Sequence, residues 1–218
     1  MSGIKYGLIS ETDKMTLEKT IDLICEQFPN EIIHSCEVGL YSGLTSEAIC
    51  KYIGLEKHRV PFHTGIDNGR DGELLKHFPP FNSKLIIGNS SEVYNQLEDE
   101  SQHLCFIDGS HTFPAVIADF FCYAPKVRVG GFLAFHDTGK HIDPLHGWQG
   151  VGDKNDPDFC LGGVRKALQS VGLFGGIEYE YGEGKVEVSN RLSQWELVFD
   201  EADPNDLAGG ICVFKKLY

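Results

Sequence analysis

The sequence predicts an α/β fold in which one mostly parallel β-sheet carries helices on both of its faces. Three observations point to it. Short apolar segments that end in polar or glycine-containing turns alternate with segments of helical period along most of the chain. With 218 residues, 41% hydrophobic and 11% aromatic, the chain can bury one core of ordinary size. No internal repeat and no proline-rich or serine-rich linker divides it, so residues 1–218 are expected to form one domain.

The elements follow in order. Residues 15–28 place Leu17, Ile21, Ile24 and Phe28 at helical spacing, a leading helix within residues 1–30. Residues 31–38 read as the first strand, closed by a turn at Gly39. Residues 44–53 return to a helical period, with Leu44, Ala48, Tyr52 and Ile53 on one face. Residues 62–66, 84–87, 104–107 and 132–135 are strands two to five. Between the last two of these, residues 114–123 form a helix that offers Val116, Ile117, Phe120 and Phe121 to the sheet. Residues 139–163 are rich in Gly, Asp, Pro and His, and read either as a substrate lid or as a surface insertion. Residues 164–173 are helical, residues 177–188 suggest a hairpin, and residues 195–199 and 211–214 are the last two strands.

Composition excludes several classes. A formal net charge of −13 opposes a nucleic-acid partner, whose binding is built largely from lysine and arginine contacts. No stretch approaches the roughly 18–20 apolar residues of a membrane helix, and Met1 to Tyr6 lack the pattern of a signal peptide. Seven scattered cysteines without a CxxC pair read as thiols of a reducing compartment. A cytoplasmic protein with no membrane partner is expected, acting on a small molecule, with a homo-oligomer as one of its open assembly states.

The segment Cys36-Glu37-Val38-Gly39-Leu40-Tyr41-Ser42-Gly43-Leu44-Thr45-Ser46 joins the first strand to the next helix. Its glycines let backbone pass close to a ligand, and the helix that follows offers free N–H groups. The spacing is GxxxG, neither the GxGxxG of dinucleotide folds nor a lysine-bearing phosphate loop, which disfavours a nicotinamide-dependent oxidoreductase. Glu37 would repel a pyrophosphate but suits a ligand with an ammonium and a sulfonium; a merely structural turn is the other reading. Asp67, ending strand two about one βα unit later, can accept both hydroxyls of a ribose or serve as an ordinary turn aspartate.

From Glu37 to Ser46 the chain resembles motif I of class I S-adenosylmethionine-dependent methyltransferases, in the Glu-x-Gly-x-Tyr-x-Gly-x-Ser/Thr form of catechol-type O-methyltransferases. Gly88-Asn89-Ser90 matches that family's Gly-x-Ser. Phe106-Ile107-Asp108-Gly109-Ser110-His111, with Gly130-Gly131-Phe132-Leu133-Ala134-Phe135-His136-Asp137, is similar to the stand-alone family that includes macrolide-sugar O-methyltransferases. Together these cover residues from about 31 to 140. The resemblance implies the Rossmann-like class I methyltransferase fold, a mostly parallel seven-stranded sheet with an antiparallel last strand. It also implies a cofactor site of Glu37, Gly39, Tyr41, Ser42, Gly43, Thr45, Asp67, Asn89, Ser90 and Asp108. Of these, Glu37, Gly39, Tyr41 and Gly43 would surround the methionine part, Asp67 hold the ribose, and Asn89 and Ser90 the adenine.

Asp108 and Asp137 end two strands that such a fold sets side by side, about 4.8 Å apart. Oxygen ligands lie about 2.0–2.1 Å from magnesium, so two neighbouring carboxylates can share one ion. In metal-dependent relatives the cation lowers the pKa of the acceptor hydroxyl, which favours O-methylation. The expected metal ligands are Asp108, His136 and Asp137. An imidazole at position 136, where catechol-type enzymes carry Asp, fits manganese, iron or zinc better than magnesium. The catalytic lysine of the catechol type, three residues after the first metal aspartate, is His111 here, and the aspartate of the sugar type is Ser110. His111 is therefore the expected base beside Asp108.

His136, His141 and His146 with Asp137 also spell a two-histidine, one-carboxylate iron site, against the plainer reading of solvated or substrate-contacting residues. His34, His63 and His103 read as structural, Trp148 and Trp195 could stack on a ring, and Trp195 is expected to pack in the core. The rival functions are a metal-independent N-methyltransferase, the oxidoreductase, and a non-catalytic cofactor-binding protein.

Overall fold

A computed structural model describes residues 9–69, 76–80, 82–139, 163–174, 177–181, 184–188, 194–201 and 209–218. Strands β1 (Ile33–Val38), β2 (Pro61–Asp67), β3 (Ser83–Ile87), β4 (Gln102–Ile107), β5 (Val127–His136), β8 (Trp195–Glu201) and β9 (Ile211–Lys216) form one seven-stranded sheet in the order β3-β2-β1-β4-β5-β9-β8. Neighbouring pairs from β3 to β5 are parallel, and β9 runs antiparallel to both β5 and β8. The predicted hairpin is present as a separate two-stranded sheet, β6 (Ile177–Tyr181) with β7 (Gly184–Val188).

Strand parity divides the core into two layers, because successive side chains point to opposite faces. Ile33 of β1, Leu104 and Phe106 of β4, Phe132 and Ala134 of β5, and Ile211 and Val213 of β9 pack with helices α1 (Glu11–Gln27) and α2 (Leu44–Lys51). Their neighbours Cys36, Val38, Cys105, Ile107, Leu133, Phe135, Cys212 and Phe214 pack with α4 (Phe113–Tyr123) and α5 (Gly163–Ser170). This is the expected arrangement of helices on both faces. Trp195 is buried in the second layer, as expected.

Two elements depart from the sequence reading. Strand β5 begins five residues before the predicted Phe132: the Gly130-Gly131 pair lies inside the strand, where the β4–β5 register shifts. A side chain at Gly131 would stand 3.0 Å from the carbonyl oxygens of Arg128, Gln102 and His103, so the strands pass there at glycine distance. The four-residue helix α3 (Ser90–Val93) is too short to show a period. Residues 140–162 of the predicted lid, with His141, His146 and Trp148, lie outside the described residues. Among the described residues no helix is long and apolar enough to cross a membrane.

The strand order reverses at β1, which pairs with β2 on one side and β4 on the other. In open α/β sheets the crevice at such a switch point, beyond the carboxyl ends of the strands, is where ligands bind. Glu37, Asp67, Asp108 and Asp137 all stand at that edge.

Candidate active site

The turn after β1 is shaped by three residues with left-handed backbone, Gly39 (φ 87), Tyr41 (φ 47) and Gly43 (φ 76). The Gly39 N–H bonds the Ile66 carbonyl at 2.9 Å, and the Asp108 N–H bonds the Val38 carbonyl at 2.8 Å. These bonds hold the turn between the ends of β2 and β4. A Cβ at Gly39 would lie 2.1 Å from the Asp108 carbonyl oxygen, where only backbone could yield. Gly39→Ala is therefore expected to cost on the order of 3 kcal/mol or more, a melting point lower by about 6–12 °C, measurable by thermal denaturation. Wild-type stability in that variant would show that the turn can move away from β4.

Gly43 stands at the N-cap of α2 and gives it no side-chain cap, so the positive end of the helix faces the turn. Ser42 accepts the His77 N–H through its carbonyl at 3.2 Å, Thr45 is buried in the first turn, and Tyr41 is exposed. Asp67 closes the turn from β2: its Oδ2 accepts the Leu40 N–H at 2.9 Å and its Oδ1 the Gly69 N–H at 2.8 Å. Each oxygen keeps a lone pair for a further donor.

Glu37 is buried beneath the turn, and its Oε2 accepts the Ser46 hydroxyl of α2 at 2.5 Å. Burial, with Asp108 and Asp67 nearby, pushes its pKa well above the ordinary carboxylate value, against the Ser46 hydrogen bond.

A second group gathers at the ends of β4 and β5. Asp137 has left-handed backbone (φ 54), a conformation that Asp tolerates, and its Oδ2 meets His111 Nε2 at 2.9 Å. Asp108 Oδ1 lies 3.9 Å from the same nitrogen. One ligand atom from each of Asp108, His111 and Asp137 falls within 4.8 Å of the others, a spacing that fits one metal ion. Burial alone would lower the His111 pKa, but hydrogen bonds and charge from Asp108 and Asp137 raise it to about 9.

The structure brings His111 rather than His136 to this group. His136 still belongs to β5 and turns with Phe132 and Ala134 toward α1, where both of its nitrogens meet carboxylates. Nδ1 faces Asp108 Oδ1 at 3.0 Å and Nε2 faces Asp13 Oδ2 at 3.2 Å. Both ring nitrogens of His136 thus face carboxylates, and the three groups within reach of one ion are Asp108, His111 and Asp137 where the sequence suggested Asp108, His136 and Asp137. Burial opposes its charge, yet Asp108 and Asp13 hold its pKa well above the usual imidazole value.

Asp13 was not singled out by the sequence reading. The Ser10-x-x-Asp13 capping box is legible as a helix start, and in the structure Asp13 exchanges hydrogen bonds with Ser10 at 3.1 Å and 2.7 Å. Nothing local shows that the same carboxylate reaches His136. Asp119 was missed too: it is buried in α4 and accepts the Ser90 hydroxyl at 2.6 Å. Asn89 caps α3, its Oδ1 accepting the Ser91 N–H at 3.3 Å. Both residues expected to meet the adenine thus already brace the start of that helix.

A family model described as a methyltransferase domain matches residues 36–138, the stretch from the glycine turn to the end of β5. No curated protein sequence matches. An O-methyltransferase from Bacillus cereus, solved in complex with SAH, is 12% identical, with 98% of this chain and 84% of that one covered at a TM-score of 0.59. A methyltransferase from the mycinamycin biosynthetic pathway, solved with Mg and SAH, is 17% identical at a TM-score of 0.53; 90% of this chain spans only 47% of that one. A TDP-rhamnose 3'-O-methyltransferase of calicheamicin biosynthesis is 15% identical, with 92% and 79% covered and a TM-score of 0.50. At such identities these likenesses establish the fold.

Proposed function

With the fold of class I methyltransferases and a methyltransferase-domain match along its ligand-bearing edge as premise, we propose that this chain transfers a methyl group from S-adenosylmethionine to a hydroxyl of a small acceptor, with help from a divalent cation. The observation that carries the reading is the convergence of two groups at one sheet edge. The Glu37–Gly43 turn and Asp67 surround one half, and Asp108, His111 and Asp137 the other.

The residues fit both partners. The glycine turn is braced from β2 and β4, and the positive end of α2 faces the place of a carboxylate. Glu37, with Oε2 committed to Ser46, keeps Oε1 for an ammonium group. The free lone pairs of Asp67 suit the two ribose hydroxyls, and Asn89 and Ser90 stand one strand further along for the adenine. Asp108 and Asp137 would hold the cation, an all-oxygen pair that suits magnesium or manganese. When bound, S-adenosylmethionine supplies an electrophilic methyl on a sulfonium, and the cation lowers the pKa of the acceptor hydroxyl. His111 is the base in this reading: a cation held by Asp108 and Asp137 would offset the charge that raises the His111 pKa and leave the ring neutral to take the hydroxyl proton, with Asp137 2.9 Å from its Nε2 to orient it.

S-adenosylhomocysteine is expected to bind with micromolar affinity and to raise the melting point, since a ligand selective for the folded state stabilises it by mass action. Asp67→Ala should weaken it, both through the lost ribose acceptor and through the loosened Leu40 N–H. Calorimetry that finds tight NAD and no S-adenosylhomocysteine would overturn the assignment. Activity that survives EDTA unchanged would favour a metal-independent N-methyltransferase instead.

A further inference from the structure

Resting on the S-adenosylmethionine reading, we propose that His63 is a positioning residue for the cofactor's amino-acid end, setting the Glu37 carboxylate through Ser46. The mechanism above leaves this histidine unused, although it is among the most deeply buried polar groups of the chain. Parity and register place it: His63 pairs with Ser35 across β1 and β2, and Ser35, Glu37 and His63 share the face covered by α2.

There the four side chains form one line. Ser35 Oγ stands 2.8 Å from His63 Nδ1, His63 Nε2 stands 3.0 Å from Ser46 Oγ, and Ser46 Oγ stands 2.5 Å from Glu37 Oε2. Donor counting gives the line a direction. The single Ser46 proton goes to Glu37, so Ser46 must accept Nε2–H from His63, whose Nδ1 then accepts the Ser35 hydroxyl. Every bond points at Glu37. Burial lowers the His63 pKa to about 3, which keeps the ring neutral with the one N–H that this direction requires.

Buried polar groups are costly unless each is satisfied, and in this line of four each is satisfied through its neighbour. The line ends on the carboxylate at the mouth of the glycine turn. Removing its middle member frees Ser46 to turn away and leaves Glu37 without a fixed rotamer. Binding of a ligand that uses Glu37 should suffer, and binding of one that does not should be spared.

Calorimetry with two probes tests this. S-adenosylhomocysteine carries the ammonium, and 5′-methylthioadenosine shares the nucleoside and thioether but lacks the amino acid. His63→Leu is expected to weaken the first tenfold or more and the second by no more than about twofold. His63→Gln, which can still donate to Ser46, should recover most of the loss. Should the leucine variant fail to fold, Ser46→Ala cuts the same line, and the same split between probes is expected. Equal weakening of both probes, or none, in these variants overturns the positioning role. Failure of the wild-type protein to bind either probe would overturn the S-adenosylmethionine reading itself, a different result from the loss of the split.

Discussion

Asp137→Asn is expected to lower methyl transfer by on the order of 10³-fold and to abolish stimulation by added Mg2+ or Mn2+, with S-adenosylhomocysteine bound within a few-fold of wild type. Asparagine is the informative replacement because residue 137 has left-handed backbone (φ 54), which Asn adopts as readily as Asp. The substitution removes the charge and leaves the turn. Its surroundings hold the segment independently: the Thr138 N–H bonds the Gly210 carbonyl at 3.1 Å, and Arg165 Nε donates to the Thr138 carbonyl at 2.7 Å. Asp108→Asn should be equally inactive, and it also weakens the contact of Asp108 Oδ1 with His136 Nδ1 at 3.0 Å. Steady-state rates across a metal titration of EDTA-treated protein measure the effect. Full activity of the Asp108 and Asp137 double variant would exclude the metal from the reaction and favour an amine acceptor.

His111→Ala should reduce kcat about 10²–10⁴-fold, the usual contribution of a positioned base, while S-adenosylhomocysteine affinity and most of the Mn2+ affinity persist. Collapse of Mn2+ binding instead would make His111 a third ligand. The metal-free protein offers an independent check. Its His111 pKa is raised to about 9, against about 6.5 in an unfolded chain, so the folded form holds the extra proton. The stability this contributes is fully present below about pH 6.5 and is lost as pH rises through 9. Melts in EDTA should therefore show the gap between wild type and His111→Ala shrinking by about 1–2 kcal/mol between those limits, discounted because the ring is 32% exposed. A gap that does not change with pH would mean that the imidazole carries no charge between the two aspartates.

The leading helix shows where local signals end. Its apolar spacing and its Ser10-Asp13 capping box are legible in sequence, yet the contact of Asp13 with His136 spans 123 positions along the chain. The same separation bears on the expected third ligand, His136. Adjacent residues His136 and Asp137 look like a pair of ligands when read along the chain. In the folded protein the strand's parity sends His136 toward α1, and the backbone departs from the strand at Asp137. His63 reads as structural in sequence and is buried, and the pairing of β2 with β1 is what aligns it with Ser35, Ser46 and Glu37.

The sequence by itself determined the order of strands and helices, the glycine turn after β1, and the carboxylates that end β1, β2, β4 and β5. Each is encoded within a few residues, by hydrophobic period or by the backbone freedom of glycine. Tertiary structure alone decided which side chains meet: His111 with Asp137, His136 between Asp13 and Asp108, and His63 behind Glu37. Those meetings depend on strand order, on register and on which helix covers which face. Such quantities are set by packing the whole sheet at once, and a change of one residue in register would send every side chain of a strand to the opposite layer.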